Sequence, residues 1–85
     1  MPTYSVIVKP VAERQLKKLN ADVQLRLTSK IRSLAENPRP HGCKKLMAQE
    51  LYRIRVGDYR IVYEIQDKVL IVVVVKLGHR RAVYD

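Results

Sequence analysis

Residues 51 to 65 run Leu-Tyr-Arg-Ile-Arg-Val-Gly-Asp-Tyr-Arg-Ile-Val-Tyr-Glu-Ile, and this stretch constrains the fold more than any other in the chain. Apolar residues recur with period two on both sides of Gly57 and Asp58, as in two half-buried strands. Glycine in the first of two loop positions supplies the positive φ of a type II′ turn, so the pair predicts a hairpin of fixed register. That register sets Val56 opposite Tyr59, Ile54 opposite Ile61, Tyr52 opposite Tyr63 and Arg55 opposite Arg60. The side chains then sort onto two faces, because successive residues of a strand point opposite ways. One face carries Tyr52, Ile54, Val56, Tyr59, Ile61, Tyr63 and Ile65, a natural floor for amphipathic helices. Arg53, Arg55 and Arg60 collect on the other.

Two such helices precede the hairpin. Tyr4 to Lys9 has the β-branched content of a first strand, and Pro10 both ends it and suits the first turn of a helix. Ala12, Leu16 and Leu19 recur at helical spacing, and Asn20 is a cap for a second helix carrying Val23, Leu27, Ile31 and Leu34. Asn37, Pro38 and Pro40 stop that helix, and His41 to Gln49, polar and irregular, reads as a loop. Beyond the hairpin, Asp67 and Lys68 make a short reversal into Val69 to Val75, a run apolar on both faces that is assigned the centre of the sheet. Gly78, His79, Arg80 and Arg81 break this pattern, and Ala82, Val83 and Tyr84 suit a last short strand. The sum is a single α+β domain over residues 1–85, a small, mainly antiparallel sheet packed against two N-terminal helices.

Composition narrows the partners. The chain has 85 residues, with 17 Lys and Arg against 8 Asp and Glu, for a formal charge of +9. So small and basic a domain points to a polyanion, nucleic acid first. A membrane partner would call for a basic amphipathic helix with large apolar anchors, and Val69 to Val75 is far short of the roughly 20 residues of a spanning helix. The single Cys43 leaves no internal disulfide and no sulfur pair for structural zinc, which fits a free thiol in the cytoplasm. His41 has no companion at ligand spacing, and no small-molecule cofactor motif is present.

The basic face is where chemistry belongs. Arg55 and Arg60, directly opposite, repel at a cost of tenths of a kcal/mol up to about one. The three arginines therefore form either a solvated face neutralised by counterions or a phosphate-binding patch, for which the guanidinium fork is suited. A last long strand beside the hairpin would deliver His79, Arg80, Arg81 and Tyr84 to the rim of the same face. Cations would then meet an aromatic ring, as where single-stranded RNA is held. Lys44 and Lys45 are either a phosphate-steering edge or a solvated loop, and Glu64 suits balancing the arginines.

The segments LYRIRVGDYRIVYEI, Leu51 to Ile65, and LGHRRAVY, Leu77 to Tyr84, resemble the RelE/ParE toxin superfamily, and the resemblance covers nearly the whole chain. It implies inhibition of translation by cutting messenger RNA at the ribosomal A site, and neutralisation by a cognate RelB-like antitoxin. Arg53 and Arg55 fall on the two basic positions of the first hairpin strand, Arg60 on the arginine of the Tyr-Arg pair, Arg80 on the arginine after the late glycine, and Tyr84 on the nearly terminal tyrosine. Lys44, Lys45, His79 and Arg81 are assigned to RNA binding around them. In the implied reaction a 2′-hydroxyl attacks the adjacent phosphate without metal or cofactor. Arg60 and Arg80 neutralise the developing charge, Arg53 and Arg55 grip flanking phosphates, and Tyr84 stacks on or orients a base. Some members have lysines where this chain has Arg53 and Arg55. Arginine keeps its protons too firmly to be a general base, so a lysine-base mechanism does not carry over. The superfamily also allows a second reading, a ParE-like inhibitor of DNA gyrase without nuclease activity.

Overall fold

The computed structural model describes residues 3–46 and 50–79. In chain order these form β1 (Ser5–Val8), α1 (Pro10–Lys17), α2 (Ala21–Ser33), β2 (Lys44–Lys45), β3 (Tyr52–Val56), β4 (Tyr59–Gln66) and β5 (Ile71–His79). The strands make one sheet in the order β1-β5-β4-β3-β2, with β1 parallel to β5 and the other pairs antiparallel.

Local chemistry fixes each element. The β3–β4 hairpin pairs Tyr52 with Tyr63, Ile54 with Ile61, Arg55 with Arg60 and Val56 with Tyr59, the register that alternation predicts. Gly57 takes φ +60° while Asp58 stays at negative φ, the sign pattern of a II′ turn. Pro10 sits in the first turn of α1, where its missing N–H is no loss. Asn20 caps α2, its side-chain oxygen accepting from the Val23 N–H at 3.0 Å. The two helices bury Ala12, Val23, Leu27 and Ile31 against Ile54, Ile61, Tyr63, Val72, Val74 and Leu77. Each fully buried Leu or Ile in such a layer contributes about 1.5–3 kcal/mol.

The structure corrects the sequence reading in four places. Lys44 and Lys45, expected in a loop, pair with Arg53 and Tyr52 as a short edge strand, and the Leu46 N–H donates to the Leu51 carbonyl at 2.8 Å to extend it. β4, not β5, is the central strand, and it is buried on both faces around Ile61, Val62 and Tyr63. Val69 and Leu70 belong to the reversal with Asp67 and Lys68, Leu70 taking φ 55°. The strand that follows runs on through Gly78 and His79 instead of breaking there. The suggested last strand at Ala82, Val83 and Tyr84 lies outside the described residues.

A bulge in β5 positions everything after it. Tyr63 pairs with Val74 but Val62 pairs with Lys76, so Val75 has no residue opposite it on β4. One extra residue reverses the alternation. Val72 and Val74 face the helices, and beyond the bulge Leu77 and His79 do so, while Lys76 and Gly78 turn to the opposite face. β1 is too short to cover this end of β5. The Lys9 N–H donates to the Val74 carbonyl at 3.0 Å, and past that point Gln15 Oε1 on α1 accepts from the Leu77 N–H at 2.8 Å. A helix side chain thus satisfies a donor that the edge would leave open.

Candidate functional site

Register across four strands builds two rows on the sheet face turned away from the helices: Lys44, Arg53, Val62 and Lys76 in one, and Arg55, Arg60 and Gly78 in the next. The five cations come from β2, β3, β4 and β5. Unlike the open surface that alternation suggests, this face is partly sunk. Arg53 is 8% exposed and Arg60 9%, while Arg55 is open to solvent. Val62 is fully buried on this face, with Leu46 and Leu51 in a small apolar cluster around it. Arginine stems cover apolar surface of this kind while their charged heads stay polar. Arg53 and Arg60 each have a partner within the fold. Cations fixed in this way have already lost rotamer freedom, and a phosphate reaching them meets a field less screened than in water.

The sequence-assigned residues divide between the faces. Lys44 shares the arginine row, but Lys45 pairs with Tyr52 and so belongs to the helix-facing side, its Nζ 3.4 Å from Glu50 Oε2. His79, expected with the arginines, pairs with Tyr59 on the helix-facing side, the ring centroids 5.6 Å apart and edge to face. The β5 bulge accounts for that correction. Glu64 does share the basic face, and its Oε1 accepts from Gln66 Nε2 at 2.7 Å. Arg80, Arg81 and Tyr84 lie outside the described residues. Lys76 is the cation that sequence reasoning missed, because parity cannot be read through an unbroken run of valines.

A second polar feature was also invisible in sequence. Arg39 donates to both carboxylate oxygens of Asp67, at 3.1 and 2.8 Å, and lies 5.3 Å from the Tyr52 ring centroid. The Tyr4 hydroxyl donates to Asp67 Oδ1 at 2.7 Å. Arg39 and then Tyr4 hold the Asp67 carboxyl down at about 2, and the Asp67 hydrogen bond raises the Tyr4 hydroxyl. Beneath, the Tyr63 hydroxyl donates to the Pro38 carbonyl at 2.8 Å, and burial, with Cys43 nearby, pushes it well above the ordinary tyrosine value. This clamp ties the chain after α2 to the end of the hairpin away from Gly57. On the far side of α2, a groove of about 540 Å³ is lined by Leu25, Arg26, Ser29, Lys30, Ser33 and Val56, with Leu25 70% exposed.

Known proteins match this architecture over nearly its full length. The family model described as the ParE toxin of the type II toxin-antitoxin system parDE matches residues 6–84. A putative RelE-like toxin protein of Escherichia coli is 29% identical over 79 residues, covering 91% of this chain and 83% of that protein. Among solved structures, the RelBE2 toxin-antitoxin complex of Mycobacterium tuberculosis contains a chain 28% identical, with a TM-score of 0.85 and 94% of each chain covered. The archaeal RelE-RelB complex of Pyrococcus horikoshii gives 28% identity and a TM-score of 0.82, covering 92% of this chain and 96% of that one.

Proposed function

The chain belongs to the ParE toxin family of type II toxin-antitoxin systems, and from that premise we propose that it is a ribosome-dependent endoribonuclease, cutting messenger RNA in the A site and so stopping translation. The observation that carries this reading is the basic sheet face, where Arg53 and Arg60 are set into the fold beside Lys44, Arg55 and Lys76. Burying a guanidinium is costly compared with burying an apolar side chain of similar size, so a stable fold alone gives no reason to keep two. A substrate with closely spaced phosphates does. Likeness to RelE proteins supports the same choice.

In this reaction the 2′-hydroxyl of one nucleotide attacks its 3′ phosphate, and the 5′-oxygen of the next nucleotide leaves. Arg60 neutralises charge developing on the phosphorane, Arg53 and Arg55 hold the flanking phosphates, and Arg80 and Tyr84 join them as a second cation and a base-stacking ring. His79 and Lys45 drop to peripheral contacts because their faces differ from that of the arginines, and Arg81 keeps its assignment to RNA binding. None of the arginines moves a proton at neutral pH, so in-line alignment by the ribosome supplies much of the acceleration, worth roughly 7–11 kcal/mol in a well-oriented intramolecular reaction.

The partner that restrains such a toxin is an antitoxin segment, acidic to match the +9 charge. Leu25 and Val56, rimmed by Arg26 and Lys30, give that segment apolar contact within basic surroundings. The matching family's name favours a second reading, inhibition of DNA gyrase. Brief induction in cells, followed by mapping of messenger RNA 5′ ends and of chromosome integrity, separates the two. New ends within translated codons support the nuclease, whereas intact messages with broken DNA overturn it.

A further inference from the structure

We propose that Lys76 is a substrate-contacting cation of the basic face, carried there by the β5 bulge to take an RNA backbone phosphate next to the one at Arg60; this rests on the nuclease reading above. Strict alternation from Val72 and Val74 would turn Lys76 toward the helices and Leu77 toward the basic face. That arrangement is untenable twice over, since it buries an ammonium in the apolar layer and strips the core of Leu77, which is 1% exposed. The unpaired Val75 resolves both in one residue. Bulges are over-represented beside active sites because they re-aim side chains.

Its neighbours give Lys76 its task. On β4 it stands opposite Val62, with Arg60 diagonal to it, and Arg60 is itself opposite Gly78. Diagonal positions on an antiparallel pair are about 7–8 Å apart between Cα atoms, within reach of long side chains. Gly78 presents no side chain beside Lys76 and opposite Arg60, so neighbouring phosphates of one RNA strand can approach the two cations there. The opposite row position, Arg53, is separated from Lys76 by the buried Val62. The strand of RNA therefore meets two cationic sites on either side of an apolar divide. Lysine suits the Lys76 position as a mobile point charge with three donors, where the rigid arginine fork is not required.

Lys76→Gln and Lys76→Arg, with Lys68→Gln in the exposed reversal as a control, are compared by single-turnover cleavage of messenger RNA on programmed ribosomes, well below every variant's melting midpoint. Lys76→Gln is expected to cleave about ten- to a hundredfold more slowly, Lys76→Arg within a few-fold of the parent, and Lys68→Gln like the parent. A Lys76→Gln variant as fast as a cleaving parent overturns the role of Lys76 and leaves the nuclease reading intact. Lys76→Arg as slow as Lys76→Gln overturns the charge role. A parent that cuts no messenger RNA removes both readings together.

Discussion

The face of the sheet that meets the helices buries Ile54, Ile61, Tyr63, Val72, Val74 and Leu77, whereas the opposite face of the same strands sinks Arg53 and Arg60 beside the buried Val62. Both bury side chains, but their energetics oppose one another. Burial on the first face stabilises by removing apolar surface from water, and burial on the second desolvates charge. Depth alone therefore does not tell core from site. What separates them is the kind of group buried: an apolar side chain gains by leaving water, whereas a guanidinium must recover its hydration from partners in the fold.

The sharpest way to break the contrast is to exchange adjacent residues on the two faces. Ile61→Asp places a charge in the helix-packed layer and is expected to cost about 4 kcal/mol or more, enough to unfold most of so small a domain in a thermal melt. Its neighbour gives the reverse pattern. Arg60→Met keeps the buried stem but leaves its partner in the fold unsatisfied, so it should cost about 1–3 kcal/mol, less than Ile61→Asp, while ribosomal cleavage falls by about a hundredfold. If Arg60→Met unfolded like Ile61→Asp, the arginine would be a structural residue and the two faces would not differ in kind.

The clamp at the other end of the hairpin offers a charged cluster without the proposed activity. Because Arg39 and Tyr4 hold the Asp67 carboxyl at about 2, below its unfolded value near 4, their contribution is fully present above about pH 4 and lost as the pH falls through about 2. Asp67→Asn should therefore flatten the acid side of the stability profile between about pH 4 and 2 and leave the slope at pH 6–8 and the cleavage rate unchanged. A loss of cleavage in Asp67→Asn would extend the functional surface to the clamp. The smallest expected difference lies between two sequence neighbours. Lys44→Gln, on the arginine row, should slow cleavage a few-fold, and Lys45→Gln, turned the other way, should leave it unchanged in the same assay.

How much of this was legible in the sequence follows from the same contrast. The hairpin register, the Asn20 cap, the Pro10 start and the apolar floor could all be read, because each depends on residues close in the chain and on a period that the residues state plainly. Arg53, Arg55 and Arg60 were placed on one face for that reason. Their burial was not legible, since Leu46 and Leu51 cover Val62 through a short edge strand that a polar stretch disguises. Nor was the bulge, since Val72 to Val75 are identical residues and carry no parity. Misreading it set His79 among the arginines and hid Lys76. Arg39 and Asp67 are 28 residues apart, too far for any local pattern to couple them.

The most direct test is a time course with purified protein, in which one messenger RNA is presented free and in the A site of programmed ribosomes, its 5′ ends are mapped, and gyrase supercoiling is followed in parallel. Rapid cleavage within the A-site codon, little or no cleavage of the free RNA and unaltered supercoiling are expected. Intact messenger RNA on the ribosome together with blocked supercoiling would contradict the nuclease reading and assign the protein to gyrase.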